Sequence, residues 1–216
     1  MKKSYIVASI GNSGSRLMVQ MIEAASGLMH CNDDTEKWRG MILHTHRPFD
    51  AKDKRLRPHN WKGVYIWSHI GDAITGMVEG RIALNSGLRL MGVDSEAIGK
   101  FFNVMENYPV AAWVELIKDD KLRWRENILS WMGAPNTMVI NYELFCLEPV
   151  GNCALLSQFL GLEIPPPALR PRLSNSLRLP EAIHDMVRQE YEDLIRLGDK
   201  IKSVQRFYEM TELWKD

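Results

Sequence analysis

Residues 5–22, Tyr5-Ile-Val-Ala-Ser-Ile-Gly11-Asn-Ser-Gly14-Ser-Arg16-Leu-Met-Val-Gln-Met-Ile22, constrain the fold more than any other stretch of this chain. Residues 5–10 are an almost continuous apolar run of strand length, which suits a strand buried on both faces. Gly11 to Gly14 form a tight Gly/Ser turn, and from Leu17 onward apolar residues return at helical spacing. A strand, a tight turn and a helix start together gather unpaired backbone N–H groups at a helix N-terminus. The macrodipole adds partial positive charge there, so the turn is a candidate anion site, with phosphate as the ligand it suits. The same pattern is also compatible with an ordinary βα connection.

Bulk properties narrow the setting. At 216 residues the chain is expected to form one α/β domain over 1–216, long enough to bury a full core. Lys plus Arg and Asp plus Glu both number 27, so no global field draws the chain to nucleic acid or to an anionic membrane. Any basic anion site is therefore local. The longest apolar runs are too short to span a bilayer, and Met1-Lys2-Lys3 is not followed by a signal-peptide core, which leads to an expected cytoplasmic location. Three Cys, at 31, 146 and 153, form no Cys-x-x-Cys pair and argue against a secreted disulfide framework.

Further along, residues 30–40 are polar and acidic and read as a loop, and Met41-Ile-Leu-His-Thr-His46 reads as a second strand closed by Arg47-Pro48. Residues 49–62 read as a charged surface connection, Gly63-Val-Tyr-Ile-Trp-Ser68 as a third strand, and a helix begins near Gly71-Asp72. Residues 84–99 are Gly-rich and read as a substrate loop. Residues 110–132 have helical period with a break at Lys118-Asp119-Asp120, and Asn136 to Tyr142 reads as a fourth strand. Residues 144–160 contain the next helix, with its start between Cys146 and Cys153 and its end at Gly161, and 180–198 read as one long amphipathic helix. Alternating strands and helices predict a three-layer α/β sandwich with a central, mostly parallel sheet.

The first turn is not a Walker A loop, because no Gly-Lys-Ser/Thr occurs anywhere in the chain. The run Asn12-Ser13-Gly14-Ser15-Arg16-Leu17 instead resembles the phosphosulfate-binding loop of the sulfotransferase family, (Lys/Arg)-Ser-Gly-(Ser/Thr)-Thr-Leu. Two positions depart: Asn12 stands at the basic position and Arg16 at the Thr, a swap that moves the positive charge by four residues. The resemblance continues at His44-Thr45-His46-Arg47-Pro48, where the family commonly has Lys-Thr-His at the end of an early strand. It continues again at Tyr65-Ile66-Trp67-Ser68-His69-Ile70-Gly71-Asp72, similar to the family's 3′-phosphate segment Tyr-(Val/Ile)-x-Arg-Asn-Pro-x-Asp. There Tyr65 and Asp72 match, while the phosphate-binding Arg and Ser are replaced by Ser68 and Gly76, with Ser68, His69 and Thr75 as remaining donors. In the second half, Trp113 to Trp131, Met138-Val-Ile-Asn-Tyr142-Glu143-Leu144, Glu148-Pro149 and Phe159-Leu160-Gly161-Leu162 follow the family's order and spacing. Together the resemblance covers residues 5–162. The family's C-terminal Arg-Lys-Gly-x-x-Gly segment is absent, and Arg170, Arg172 and Arg178 are the basic residues clustered in the tail.

The resemblance implies a P-loop NTPase-like sulfotransferase fold and a co-substrate, 3′-phosphoadenosine 5′-phosphosulfate, held by Gly11, Asn12, Ser13, Gly14, Ser15, Arg16, Leu17, Ser68 and Thr75. Transfer of a sulfuryl group to a hydroxyl or amine requires the acceptor to shed a proton. An imidazole titrating near neutrality suits that task, so His46 is the expected general base, with His44 and Arg16 assisting. The acceptor is expected to be a small molecule or a glycan, and no metal is required. Three alternatives stand beside this. His44 and His46 point to one face of a strand and can form part of a metal site with Asp50 or His59, or they are simply hydrogen-bonded residues at a strand end. The whole chain can also be a P-loop-type phosphotransferase or a diverged, non-catalytic nucleotide-binding module.

Overall fold

The computed structural model describes residues 3–11, 13–32, 38–53, 56, 61–79, 109–169, 179–201 and 204–206. Among these lie β1 (Ser4–Ser9), α1 (Ser15–Ser26), β2 (His30–Asn32), β3 (Ile42–Thr45), β4 (Trp61–Trp67) and α2 (Ile70–Glu79). They are followed by α3 (Pro109–Ile117), a 3₁₀ turn (Lys118–Asp120), α4 (Trp124–Met132), β5 (Thr137–Asn141), α5 (Tyr142–Leu147) and α6 (Pro149–Leu160). The last elements are α7 (Glu181–Glu190), α8 (Glu192–Lys200) and β6 (Val204–Arg206). Asn12, His59, the substrate loop expected over 84–99 and Arg170, Arg172 and Arg178 lie outside the described residues.

The strands form one sheet in the order β2-β3-β1-β4-β5-β6, parallel except for β6, which runs antiparallel to β5. The apolar run at the N-terminus becomes the central strand β1, buried along its whole length. Its residues alternate between faces. Ile6 and Ala8 join Leu43, Tyr65 and Val139 under Trp113, Trp124, Trp131 and Tyr191 of the helical layer on one side. Tyr5 and Val7 join Ile42, Val64, Ile66 and Ile140 under Met18 and Ile22 of α1 and Phe145, Leu156 and Leu160 of α5 and α6 on the other. The expected three-layer α/β architecture is thus present, and both layers are dry, which is why the strands read as runs rather than alternations.

Two readings change, and further elements appear. Residues 30–32 are an edge strand, not loop: exposed His30 and Asn32 flank buried Cys31 and pair with Ile42 to His44. Three residues are too few to carry a period-2 signal, and the partner strand supplies the order. The stretch 144–160, expected to contain a helix starting between Cys146 and Cys153, holds that helix as α6, opened by Pro149, and the end of a second, α5, which Asn141 caps by accepting from the Leu144 N–H. The helix expected over 180–198 is two helices, divided at Tyr191, whose hydroxyl is turned inward to donate to Asp120 Oδ1 at 2.8 Å. β6 was carried by no pattern in the sequence. The break expected at residues 118–120 is present, with Asp119, Asp120 and Arg123 all at positive φ.

Chain order sets where a site can form. From β1 the chain leaves through α1 to β2 and β3 on one side of the central strand, and later returns to β4 on the other. Crossovers leaving a central strand in opposite directions open a crevice at the carboxyl ends of the strands, which is where such sheets bind ligands. At that edge lie Ser9, Gly11 and Ser13 to Ser15 after β1, His46 after β3 and Ser68 after β4.

Candidate functional site

The turn after β1 takes its shape from two glycines. Gly11 and Gly14 adopt φ of +89° and +83°, the left-handed region that favours glycine. A Cβ on Gly14 would overlap the Tyr142 ring, so β5 and α5 close over the turn only because this position lacks a side chain. Gly14 occupies the N-cap of α1, no side chain caps the helix, and its first turn contains no acidic residue. The first N–H groups of α1 therefore face the crevice with no competing carboxylate. Ser13 adds a fully buried hydroxyl without a hydrogen-bond partner among the described residues, an arrangement that costs about 1–3 kcal/mol unless a ligand completes it. Arg16, in the same turn, is exposed and makes no ion pair among the described residues.

His44 and His46 stand beside this turn with ring centroids 4.9 Å apart. His44 Nε2 lies 3.0 Å from Ser15 Oγ, which ties β3 to the first residue of α1. Burial, with repulsion from His46, His30 and Arg16, pulls its pKa down to about 3, so His44 is neutral at physiological pH. It therefore supplies no positive charge at the position where the resembling family has Lys. His46 lies just beyond β3, and its Nδ1 is 3.0 Å from both the carbonyl oxygen and the hydroxyl of Ser9. A carbonyl oxygen can only accept, so the proton sits on Nδ1 and Nε2 is the basic nitrogen. Ser9 Oγ also accepts from the Gly11 N–H at 3.2 Å, so one buried serine links the Gly/Ser turn to the imidazole.

The end of β4 is occupied differently. Ser68, which stands at the position of the resembling family's phosphate-binding Arg, is fully buried and donates to Glu143 Oε1 at 2.7 Å. Thr75 is buried in α2 and donates to the Gly71 carbonyl one turn back, at 2.8 Å. Gly11, Ser13, Gly14, Ser15, Arg16, His44 and His46 are thus gathered at one edge, and Ser68 and Thr75 are engaged with the protein itself. Leu17 is half-buried and packs toward the core beneath α1.

The chain resembles in structure the mouse sulfotransferase SULT7A1 complexed with PAP, with a TM-score of 0.58 and 13% sequence identity over 93% of this chain and 89% of that one. The chain has the sulfotransferase fold. No family model matches the sequence. No curated protein matches it either. At this identity the likeness lies in the path of the backbone.

Sequence reasoning missed Ser9, Asn127 and the Glu143 bond to Ser68. Asn127 is a polar residue set between Trp124, Ile128 and Trp131 on the buried face of α4, and that interruption of an apolar stripe was its only signal. No described group of three or more His, Cys, Asp or Glu side chains can hold a metal ion. Among the described residues no helix is long and apolar enough to cross a membrane.

Proposed function

We propose that this chain transfers the sulfuryl group of 3′-phosphoadenosine 5′-phosphosulfate to a hydroxyl or amine of a small-molecule or glycan acceptor. The observation that carries this is the pairing, through Ser9, of an uncapped helix N-terminus with an imidazole whose basic nitrogen is Nε2. The neighbouring fold's complex with PAP supports a nucleotide of that kind as the ligand. The buried Ser13 hydroxyl and the absence of acidic residues from the first turn of α1 suit the phosphosulfate end of such a donor.

The chemistry assigns each group one task. A lone pair of the acceptor oxygen or nitrogen attacks sulfur, the bond from sulfur to the bridging oxygen breaks, and its electrons remain on the departing phosphate. The acceptor proton passes to His46 Nε2 as attack proceeds. Arg16 and the first N–H groups of α1 stabilise the charge that builds on the departing oxygens. His44, neutral and bound to Ser15, orients the start of α1 and carries no charge. The three cysteines are free and buried, in keeping with action in a reducing cytoplasm.

Ser68 favours a second reading. With its hydroxyl committed to Glu143 and with Gly76 lacking a side chain, the edge beside β4 offers little to a 3′-phosphate. That arrangement suits a diverged nucleotide-binding module without turnover. Calorimetric titration with adenosine 3′,5′-bisphosphate, followed by single-turnover transfer to a panel of acceptors, separates the two. Binding with transfer supports the enzyme, binding without transfer supports the module, and no binding removes both.

A further inference from the structure

Residues 46–49 leave β3 without sheet bonds of their own, yet their backbone is gripped at three points by one face of α4. Asn127 Nδ2 donates to the His46 carbonyl at 2.7 Å, Trp131 Nε1 donates to the Arg47 carbonyl at 2.7 Å, and Ser130 Oγ accepts from the Phe49 N–H at 2.8 Å. Positions 127, 130 and 131 share a helix face by their three- and four-residue spacing. Asn127 is 1% exposed, and the hydroxyl of Tyr65, itself fully buried in β4, donates to its Oδ1 at 3.0 Å. The His46 carbonyl fixes which atom of the amide is nitrogen, because only the NH₂ can donate to it.

A buried amide on an otherwise apolar helix face is costly unless fully bonded. Here both its ends are used, one on the central sheet through Tyr65 and the other on the backbone of His46. We propose that Asn127 is a positioning residue for His46: by holding its carbonyl it seats the imidazole against Ser9 and thereby fixes the proton on Nδ1. This rests on reading His46 as the base. Nδ1 reaches the Ser9 carbonyl and hydroxyl only while the backbone at 46 is held, so loss of the Asn127 bond lets the ring move off Ser9 and both nitrogens then share the proton.

The tautomer is read directly by long-range ¹H–¹⁵N correlation NMR on the labelled full chain, at a pH about two units above the ordinary imidazole value. Wild type is expected to show a protonated Nδ1 and an unprotonated Nε2 at His46. Asn127→Leu, and Asn127→Asp, which keeps the acceptor for Tyr65 but loses the donor, are expected to show both tautomers. Leu156→Ala, a cavity under the opposite face of the sheet, lowers stability without touching this network and is expected to keep the wild-type pattern. A folded Asn127→Leu protein with an unshifted His46, or an equal shift in Leu156→Ala, overturns the proposal. If neither Asn127 variant folds, Tyr65→Phe decides: mixed tautomers support it and an unchanged His46 overturns it. The measurement needs neither donor nor acceptor, so its failure is distinct from failure of the sulfotransferase reading. With an acceptor in hand, Asn127→Asp is expected to lower kcat by about 10–100-fold at unchanged donor affinity.

Discussion

His46 is held at three atoms: Nδ1 by Ser9, the carbonyl by Asn127, and the ring edge by His44. In the proposed reaction His46 acts in the proton transfer and not in holding the donor. His46→Ala is therefore expected to lower turnover by about 10²–10⁴-fold with donor affinity nearly unchanged, measured by single-turnover transfer and calorimetry on the same protein. Equal turnover in both proteins would remove His46 from the mechanism. His44 supports a different expectation, one of stability. Its folded pKa of about 3 lies below the unfolded 6.5, so the native state binds fewer protons than the unfolded chain between those values. Stability tied to neutral His44 is complete above about pH 6.5 and is lost as the pH falls toward 3. Replacing it by Gln should flatten that acid limb, read as urea midpoints at stepped pH, and an unchanged limb would show that His44 is not the group responsible. At this scale the histidines and Arg16 were legible because titratable residues at a strand end and in a Gly/Ser turn stand out in the sequence. Ser9 and Asn127 were not, because their importance comes from partners 37 and 81 positions away.

Elements were legible where a local signal was strong and illegible where tertiary contact decided. The strand, turn and helix over residues 5–22 follow from the apolar run, two glycines and the return of helical period. The helix start near Pro149 follows as well, and the division at Tyr191 does not, because that break depends on a bond to Asp120 across the helical layer. The turn between β1 and α1 gives this scale its prediction. Gly14 needs glycine twice over, for its φ of +83° and for the Tyr142 ring against it. Gly14→Ala should cost about 1–3 kcal/mol for the backbone and more for the displaced ring. Adding Tyr142→Ala should return only the part owed to the clash, and urea unfolding of the single and double variants separates the two contributions. A single variant as stable as wild type would mean that the turn is not held in this conformation.

For the whole molecule, the decisive fact is that β1 lies between β3 and β4, so that three segments distant in sequence end at one edge of the sheet. Alternating strands and helices made the parallel sheet legible. The antiparallel edge strand β6 was not, since three residues pair there only because β5 already presents an open edge. The order also explains how the fold can persist at 13% identity to a sulfotransferase of known structure: the crevice is set by chain path, and its side chains can change. Ligand-linked stability tests whether this crevice takes the expected nucleotide. A ligand that binds only the folded state adds about 2.7 kcal/mol at a concentration near 100 times Kd, which for a chain of this size raises Tm by roughly 5–10 °C. Adenosine 3′,5′-bisphosphate should give a rise of that order. Arg16→Ala, which removes the one basic side chain in the first turn of α1, should weaken binding by about 1.5–3 kcal/mol and remove most of the rise. A full rise in Arg16→Ala would mean that the N–H groups and Ser13 hold the phosphate without it, and the charge displaced from position 12 to position 16 would then have no part in binding.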